Sequence, residues 1–142
     1  STPGRLGTED TSTAPQSAFQ AAYRAEILEV DDAVGSFVVM LDELKLRDST
    51  VVGLVADHGE YLGEDSQYGP LWGHYLVREE VMRIPMMVSG PGISAEIHTG
   101  AVSSVDLAPT LLELAGLKAP AAMQGRSMMP LLKGKMVSDR EI

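Results

Sequence analysis

The sequence contains no cysteine, and this absence excludes several kinds of chemistry at once. Without a thiol there is no disulfide framework, no thiolate ligand for a metal and no cysteine nucleophile. Positive charge is also scarce, since 11 Lys and Arg residues stand against 20 Asp and Glu residues, giving a net charge of −9 and a pI near 4.6. The chain therefore has no basic face, and we expect neither nucleic acid nor an anionic membrane surface as its partner.

Long apolar runs are missing as well. None approaches the roughly 20 residues that cross a bilayer, and the first residues do not resemble a signal peptide. The chain opens with Ser1 rather than Met, as expected for a piece of a longer protein, so the sequence leaves its localisation open. The 142 residues, 44% of them hydrophobic, suffice for one compact α/β domain.

The composition changes near residue 17. Residues 1–16 are rich in Ser, Thr, Pro, Gly and Gln and hold too few apolar groups to offset the entropy of ordering, which predicts a flexible lead-in. From Phe19 to Leu44, apolar residues recur at steps of three and four, which predicts a long amphipathic helix ending near Arg47. Gly35 lies inside this pattern and is expected at a close packing point or a slight bend.

Two apolar runs predict strands. Residues 50–56 are apolar on both faces, as in a central strand that is covered by helices and paired in parallel, and residues 84–89 form a second run that Gly90 and Pro91 close. Residues 97–102 are a weaker third candidate. A short helix is predicted after Asp106 as N-cap, with Gly116 as its C-terminal stop. This order gives an α/β fold with a mainly parallel or mixed sheet flanked by helices.

The pair Asp57 and His58 follows the first predicted strand. In open α/β sheets, ligands gather beyond the carboxyl ends of strands, and a carboxylate beside an imidazole suits a divalent cation. The same pair is also compatible with a purely structural role, in which Asp57 caps the turn and His58 hydrogen-bonds to the backbone. Residue types and spacing alone leave both interpretations open.

The order of short motifs across most of the chain resembles the later part of a sulfatase catalytic domain, within the alkaline phosphatase-like superfamily. Each motif is weak alone, but their succession is specific. They occupy residues 23–27, 30–35, 55–64, 73–74, 79–85, 90–92, 105–112 and 124–127. The resemblance implies that residues 17–142 are the carboxyl-side segment of such a domain, part of an α/β sandwich that hydrolyses sulfate or phosphate esters.

Three residues acquire roles from this resemblance. Asp57 and His58 match the pair that completes the metal shell, and His74 matches the Lys or His that contacts the ester oxyanion. Ca²⁺ is the first choice of metal, with Mn²⁺, Mg²⁺ or Zn²⁺ as alternatives. The cation would neutralise the nucleophile and an ester oxygen, while His74 would stabilise charge that develops in the transition state. Arg83 is expected to pair with Glu79 or Glu80 rather than with substrate.

The chain departs from the family where the nucleophile should be. A sulfatase needs an early strand with two acidic metal ligands and a Cys or Ser that becomes formylglycine, and we expect these in polypeptide outside this sequence. Residues 1–5 match the bare Ser-x-Pro-x-Arg motif, but no strand precedes them and Asp57 follows too soon. We therefore expect the isolated chain to be inactive.

Two alternatives stay open, together with the oligomeric state. The parent protein could instead be a related phosphodiesterase or phosphotransferase, or the chain could be a noncatalytic binding or assembly module. Without the early strands, sheet edges and apolar surface would be exposed, so self-association into a homo-oligomer is expected.

Overall fold

A computed structural model describes residues 16–64 and 69–134. One long helix is followed by three short strands, a short helix, a fourth strand and two further helices, which is an α/β composition as expected. The predicted lead-in, apart from Gln16, and the motif at residues 1–5 lie outside the described residues. The helices are α1 (Gln16–Glu43), α2 (Glu79–Met82), α3 (Leu107–Leu114) and α4 (Met129–Leu132), and the strands are β1 (Val52–Val55), β2 (Tyr61–Glu64), β3 (Leu71–Gly73) and β4 (Met86–Ser89). Single 3₁₀ turns occupy Arg47–Ser49 and Ser104–Asp106.

Strands β1 and β4 form one antiparallel sheet, with Val52 opposite Ser89 and Val55 opposite Met86. The two predicted apolar strands are therefore neighbours, but the parallel pairing predicted for the first of them is wrong for this pair. An apolar run reports burial on both faces and carries no information on strand direction, so the antiparallel sense was not visible in the sequence. A strand was also predicted at residues 97–102, and the structure has none there.

The two faces of this sheet have different surroundings. Gly53 faces α3, because a Cβ built there would meet the Leu107 side chain at 3.2 Å. On the opposite face, Val52, Leu54 and Met87 line a cavity of about 800 Å³ whose other wall is α1. Among the described residues, helices thus cover β1 closely on one face only, rather than on both as predicted.

Strands β2 and β3 form a second antiparallel sheet, which the sequence did not predict. Tyr61 and Leu71 from these strands and Val81 from α2 form a buried cluster. The first turns of α1 attach to the same hairpin, since Phe19 meets Trp72 edge to face at 4.9 Å between ring centroids. This packing holds the loop between β1 and β2 against a small apolar core.

Helix α1 confirms the long periodic pattern but leaves much of its apolar side exposed. Ile27 is 51% exposed, Val30 58% and Phe37 42%. Gly35 is exposed, and nothing lies within 4 Å of the point that a Cβ would occupy there, so the close packing point predicted at this residue is absent. None of the helices in the described part of the chain is both long and apolar enough to cross a membrane.

The short helix predicted after Asp106 is confirmed as α3, and Gly116 follows it with φ 73°. Asp106 is buried and anchors two segments, because its carboxylate accepts the backbone N–H of Ser103 at 2.9 Å and that of Arg126 at 2.7 Å. Thr110 is fully buried; its hydroxyl donates to the Asp106 carbonyl and accepts the Met128 N–H at 2.8 Å. These bonds tie residues 126–128 to the first turn of α3.

Candidate active site

The loop between β1 and β2 carries Asp57 and His58, and it is fixed by backbone contact with α2. The Gly59 N–H donates to the Val81 carbonyl at 2.8 Å. A Cβ on Gly59 would lie 2.1 Å from the Glu80 carbonyl oxygen, so only glycine allows this approach. The loop therefore leaves the strand end in one defined path, with His58 and Glu60 on either side of the pinned glycine.

Asp57 and His58 place one donor atom each close together. The Asp57 Oδ2 atom lies 3.6 Å from His58 Nε2, and both side chains are accessible, with 88% and 40% exposure. The His58 Nδ1 atom donates to the Gly59 carbonyl at 2.9 Å, which leaves Nε2 as the ring nitrogen available to a metal. Donors 3.6 Å apart can both reach one cation at about 2.0 to 2.6 Å.

The charge state of Asp57 also suits a cation. Its carboxylate accepts the backbone N–H of His58 at 2.9 Å, and this bond, followed by the charge of the His58 ring, holds the pKa of Asp57 below its usual value. Asp57 therefore stays ionised at neutral pH. The described donor set, one carboxylate oxygen and one imidazole nitrogen, fits a divalent metal by its chemistry.

His74 lies beside this pair rather than apart from it. Its ring is 4.0 Å from the His58 ring between centroids, tilted by 30°. The His74 Nδ1 atom donates to Glu60 Oε2 at 3.1 Å, with the His74 side chain 55% exposed and the Glu60 side chain 21% exposed. The structure thus brings together all three residues singled out in the sequence, Asp57, His58 and His74, while their chemical roles stay predictions.

Glu60 is the member of this site that the sequence analysis missed. It lies with His58 and His74 in a group whose three ligand atoms, one from each residue, are all within 4.8 Å of one another. It stands in the same four-residue stretch as Asp57 and His58, so proximity in sequence was the available signal. Its contact with His74 depends on the β2–β3 register, which the sequence did not predict.

Arg83 pairs with Glu79, one of the two partners predicted for it. Its Nη1 atom lies 3.4 Å from Glu79 Oε1, one turn away along α2. Both side chains are about 80% exposed, at 83% and 79%, so the pair contributes little to stability.

Comparison with known proteins assigns the fold and the family. Residues 4–117 match the protein-family model described as Sulfatase. The chain belongs to the sulfatase family. The choline-sulfatase of Rhizobium meliloti (strain 1021) is 34% identical over 116 residues, which cover 80% of this chain and 22% of the relative. The chain therefore spans about a fifth of the length of that sulfatase.

Solved structures agree with this sulfatase assignment. The phosphonate monoester hydrolase SpPMH from Silicibacter pomeroyi superposes with a TM-score of 0.70 at 33% identity, over 80% of this chain and 22% of the other. BT4656, solved with its substrate D-glucosamine-2-N,6-O-disulfate, gives a TM-score of 0.64 at 30% identity, over 80% and 23%. The prediction of an α/β, partial alkaline phosphatase-like domain in the sulfatase family is confirmed, and that family generally uses a divalent metal.

Proposed function

We propose that this chain is the carboxyl-side segment of a metal-dependent sulfuric ester hydrolase and supplies half of the metal shell. The observation that carries the proposal is the convergence of Asp57 Oδ2 and His58 Nε2, 3.6 Å apart, beside His74 at the end of β1. Family membership supports the reaction class, and the neighbour solved with a disulfated glucosamine supports a sulfate ester as substrate. The nucleophile, a formylglycine, would come from polypeptide outside this sequence, so we expect the chain alone to be inactive.

Each residue then has a defined task. Asp57 and His58 would hold the cation, for which Ca²⁺ is our first choice, and the bound cation would withdraw negative charge from the ester oxygens. His74 would direct its Nε2 atom at an ester oxygen, because its Nδ1 atom is occupied by Glu60. An N–H at Nε2 would donate a hydrogen bond to the negative charge that develops on that oxygen.

A metal titration of the chain tests the metal half of this proposal directly. We expect Ca²⁺ or Mn²⁺ to bind weakly, since this segment offers two ligands, and to perturb the backbone NMR signals of residues 57 and 58. Asp57→Asn should abolish that perturbation, whereas Asp48→Asn removes another exposed carboxylate and should leave it unchanged. Perturbations that are absent at residues 57 and 58, or that persist in Asp57→Asn, would contradict the proposal.

Exchange of segments tests the catalytic half. The matching segment of the Rhizobium meliloti choline-sulfatase would be replaced by this chain, and hydrolysis of choline sulfate and of p-nitrophenyl sulfate would be measured. We expect His74→Ala to lower kcat by about 10²- to 10³-fold, the usual loss for one oxyanion contact. An active chimaera that tolerates both His74→Ala and Asp57→Asn would instead support a noncatalytic role for the segment.

Hydrolysis of phosphorus esters is the second candidate, because the neighbour with a TM-score of 0.70 is a phosphonate monoester hydrolase. The same chimaera can be assayed with phenyl p-nitrophenyl phosphonate and bis(p-nitrophenyl) phosphate. A preference for these substrates over p-nitrophenyl sulfate, arising when this segment is introduced, would favour the second candidate over the first.

A further inference from the structure

The register of the β2–β3 hairpin places Glu60 and His74 side by side. Tyr61 pairs with Gly73 at the end of the ladder, so the residue before β2 and the residue after β3 lie opposite each other. Gly73 has φ 84°, a conformation that glycine adopts readily and that turns the chain toward His74 just past the strand. The resulting separation of Glu60 Oε2 and His74 Nδ1 is 3.1 Å.

The pinned loop adds His58 to this pair. Gly59 is held against α2 by the Val81 carbonyl, and it fixes the positions of its two neighbours along the chain. The His58 and His74 rings consequently lie 4.0 Å apart. In the described part of the chain, His58, Glu60 and His74 form a group in which one ligand atom from each side chain lies within 4.8 Å of the other two. Asp57 is not a member of that group.

We propose that His58, Glu60 and His74 form a Zn²⁺ site that does not use Asp57. Two imidazoles and one carboxylate are a known ligand set for zinc with an open fourth position. Two ligands bound at about 2.0 to 2.1 Å with a tetrahedral angle are about 3.3 Å apart, close to the 3.1 Å between Glu60 and His74. Ca²⁺ prefers six to eight oxygen ligands, of which this group supplies a single carboxylate, so its donors favour zinc over Ca²⁺.

Zinc in this site would use the same imidazoles as the proposed hydrolase in a different way. His58 would turn from Asp57 to Glu60 as its partner ligand, and His74 would exchange its hydrogen bond with Glu60 for a bond to the metal. With Zn²⁺ bound, His74 would therefore no longer be available to donate a hydrogen bond to a substrate ester. This inference goes beyond the proposed function, because it needs no substrate and no residue outside the chain.

Calorimetric titration of the chain with ZnCl₂ tests the site, with Co²⁺ as an absorbing substitute for zinc. We expect one saturable Zn²⁺ per chain and visible Co²⁺ bands of a four-coordinate complex. Loss of one ligand should weaken binding at least as much as the roughly 10- to 100-fold seen when a partner of a metal ligand is removed. Glu60→Gln and His74→Asn should both show that loss.

Two matched variants separate this site from other zinc ligands. Asp57→Asn removes the neighbouring carboxylate, and His98→Ala removes the remaining histidine, which lines a different cavity. Both should bind Zn²⁺ within about threefold of the unaltered chain, which is less than the roughly 10-fold or greater loss expected when a ligand is removed. Since only Asp57→Asn should abolish the Ca²⁺ response, the zinc site and the hydrolase proposal fail on different measurements.

Three results would overturn the proposal. They are the absence of saturable Zn²⁺ binding, an equal loss of affinity in Asp57→Asn and Glu60→Gln, and a zinc affinity that depends on His98. Circular dichroism of each variant without metal shows whether it remains folded. If Glu60→Gln unfolds, His74→Asn still decides the question, because its side chain is 55% exposed and its replacement leaves the β2–β3 ladder intact.

Discussion

Replacing Gly59 with alanine should loosen the site without changing any donor atom. The φ of Gly59 is not positive, so alanine is acceptable to its local conformation. The added methyl group, however, would lie 2.1 Å from the Glu80 carbonyl oxygen and 3.2 Å from the Val81 Cα. Both neighbours are backbone, and they cannot rotate away as a flexible side chain would, so the loop and α2 must separate.

The magnitude follows from the two contacts that this separation disturbs. Overpacking against backbone costs about 1 to 3 kcal/mol, and loss of the Gly59 hydrogen bond to Val81 costs about 0.5 to 1.5 kcal/mol. We expect the free energy of unfolding to fall by about 2 to 4 kcal/mol, measured by urea denaturation with circular dichroism. Zn²⁺ binding should weaken as well, since Gly59 lies between two of its three proposed ligands.

Gly35→Ala is the matched control for this substitution. Gly35 is an exposed residue in the middle of α1, with nothing within 4 Å of the Cβ that alanine would add. The same chemical change should therefore stabilise the chain by about 0.5 to 1 kcal/mol and leave Zn²⁺ affinity unaltered. If Gly59→Ala unfolds at the same urea concentration as Gly35→Ala and binds Zn²⁺ equally well, the pinning of the loop by Gly59 is refuted.

Three further predictions concern stability and association. Thr110→Val should lower the free energy of unfolding by about 1 to 3 kcal/mol, because the buried Met128 N–H loses its acceptor. Urea denaturation measures this loss, and Thr110→Ser, which keeps the hydroxyl, should show a smaller one. Burial, with the charge of Glu80, raises the pKa of Tyr61. The stability that neutral Tyr61 contributes should therefore persist below about pH 10 and decline above it. Thermal melts between pH 9 and 11 should show a smaller decline for Tyr61→Phe, which has no phenol to ionise. Light scattering should show self-association as concentration rises, because α1 exposes Phe37 and other apolar side chains, and a monomer at all concentrations would contradict this.

The sequence predicted the elements that have a regular hydrophobic period, and failed where pairing decides the structure. Helices α1 and α3 and strands β1 and β4 were all placed from apolar spacing and caps, within a few residues. The antiparallel sense of β1 and β4 was missed, since two buried runs look the same in either direction. The β2–β3 hairpin was missed because its strands are only 4 and 3 residues long, too short to show a period.

The residues of the candidate site also differ in how far the sequence could predict them. Asp57 and His58 are adjacent in sequence and follow a predicted strand, so their place at the end of that strand could be anticipated, although residue types and spacing left a structural role open as well. His74 required the family resemblance, since nothing local distinguishes it from a surface histidine. Glu60 could be placed only by the β2–β3 ladder, in which Tyr61 pairs with Gly73. Composition and residue spacing cannot predict contacts that depend on strand register.

The geometry of the donors is set inside this chain, even though one face of the β1–β4 sheet is open. His58 and Glu60 line the same cavity as the apolar residues Val52 and Leu54, between that sheet and α1. Their positions, however, depend on the backbone bond between Gly59 and Val81 and on the hairpin register, neither of which crosses the cavity. Polypeptide that fills the cavity can add metal ligands or change the dielectric constant around His58 and Glu60. It is not needed to bring these two side chains together. Variants of the loop and hairpin should therefore change metal affinity in the isolated chain, and variants on the exposed side of α1 should change association while leaving that affinity intact.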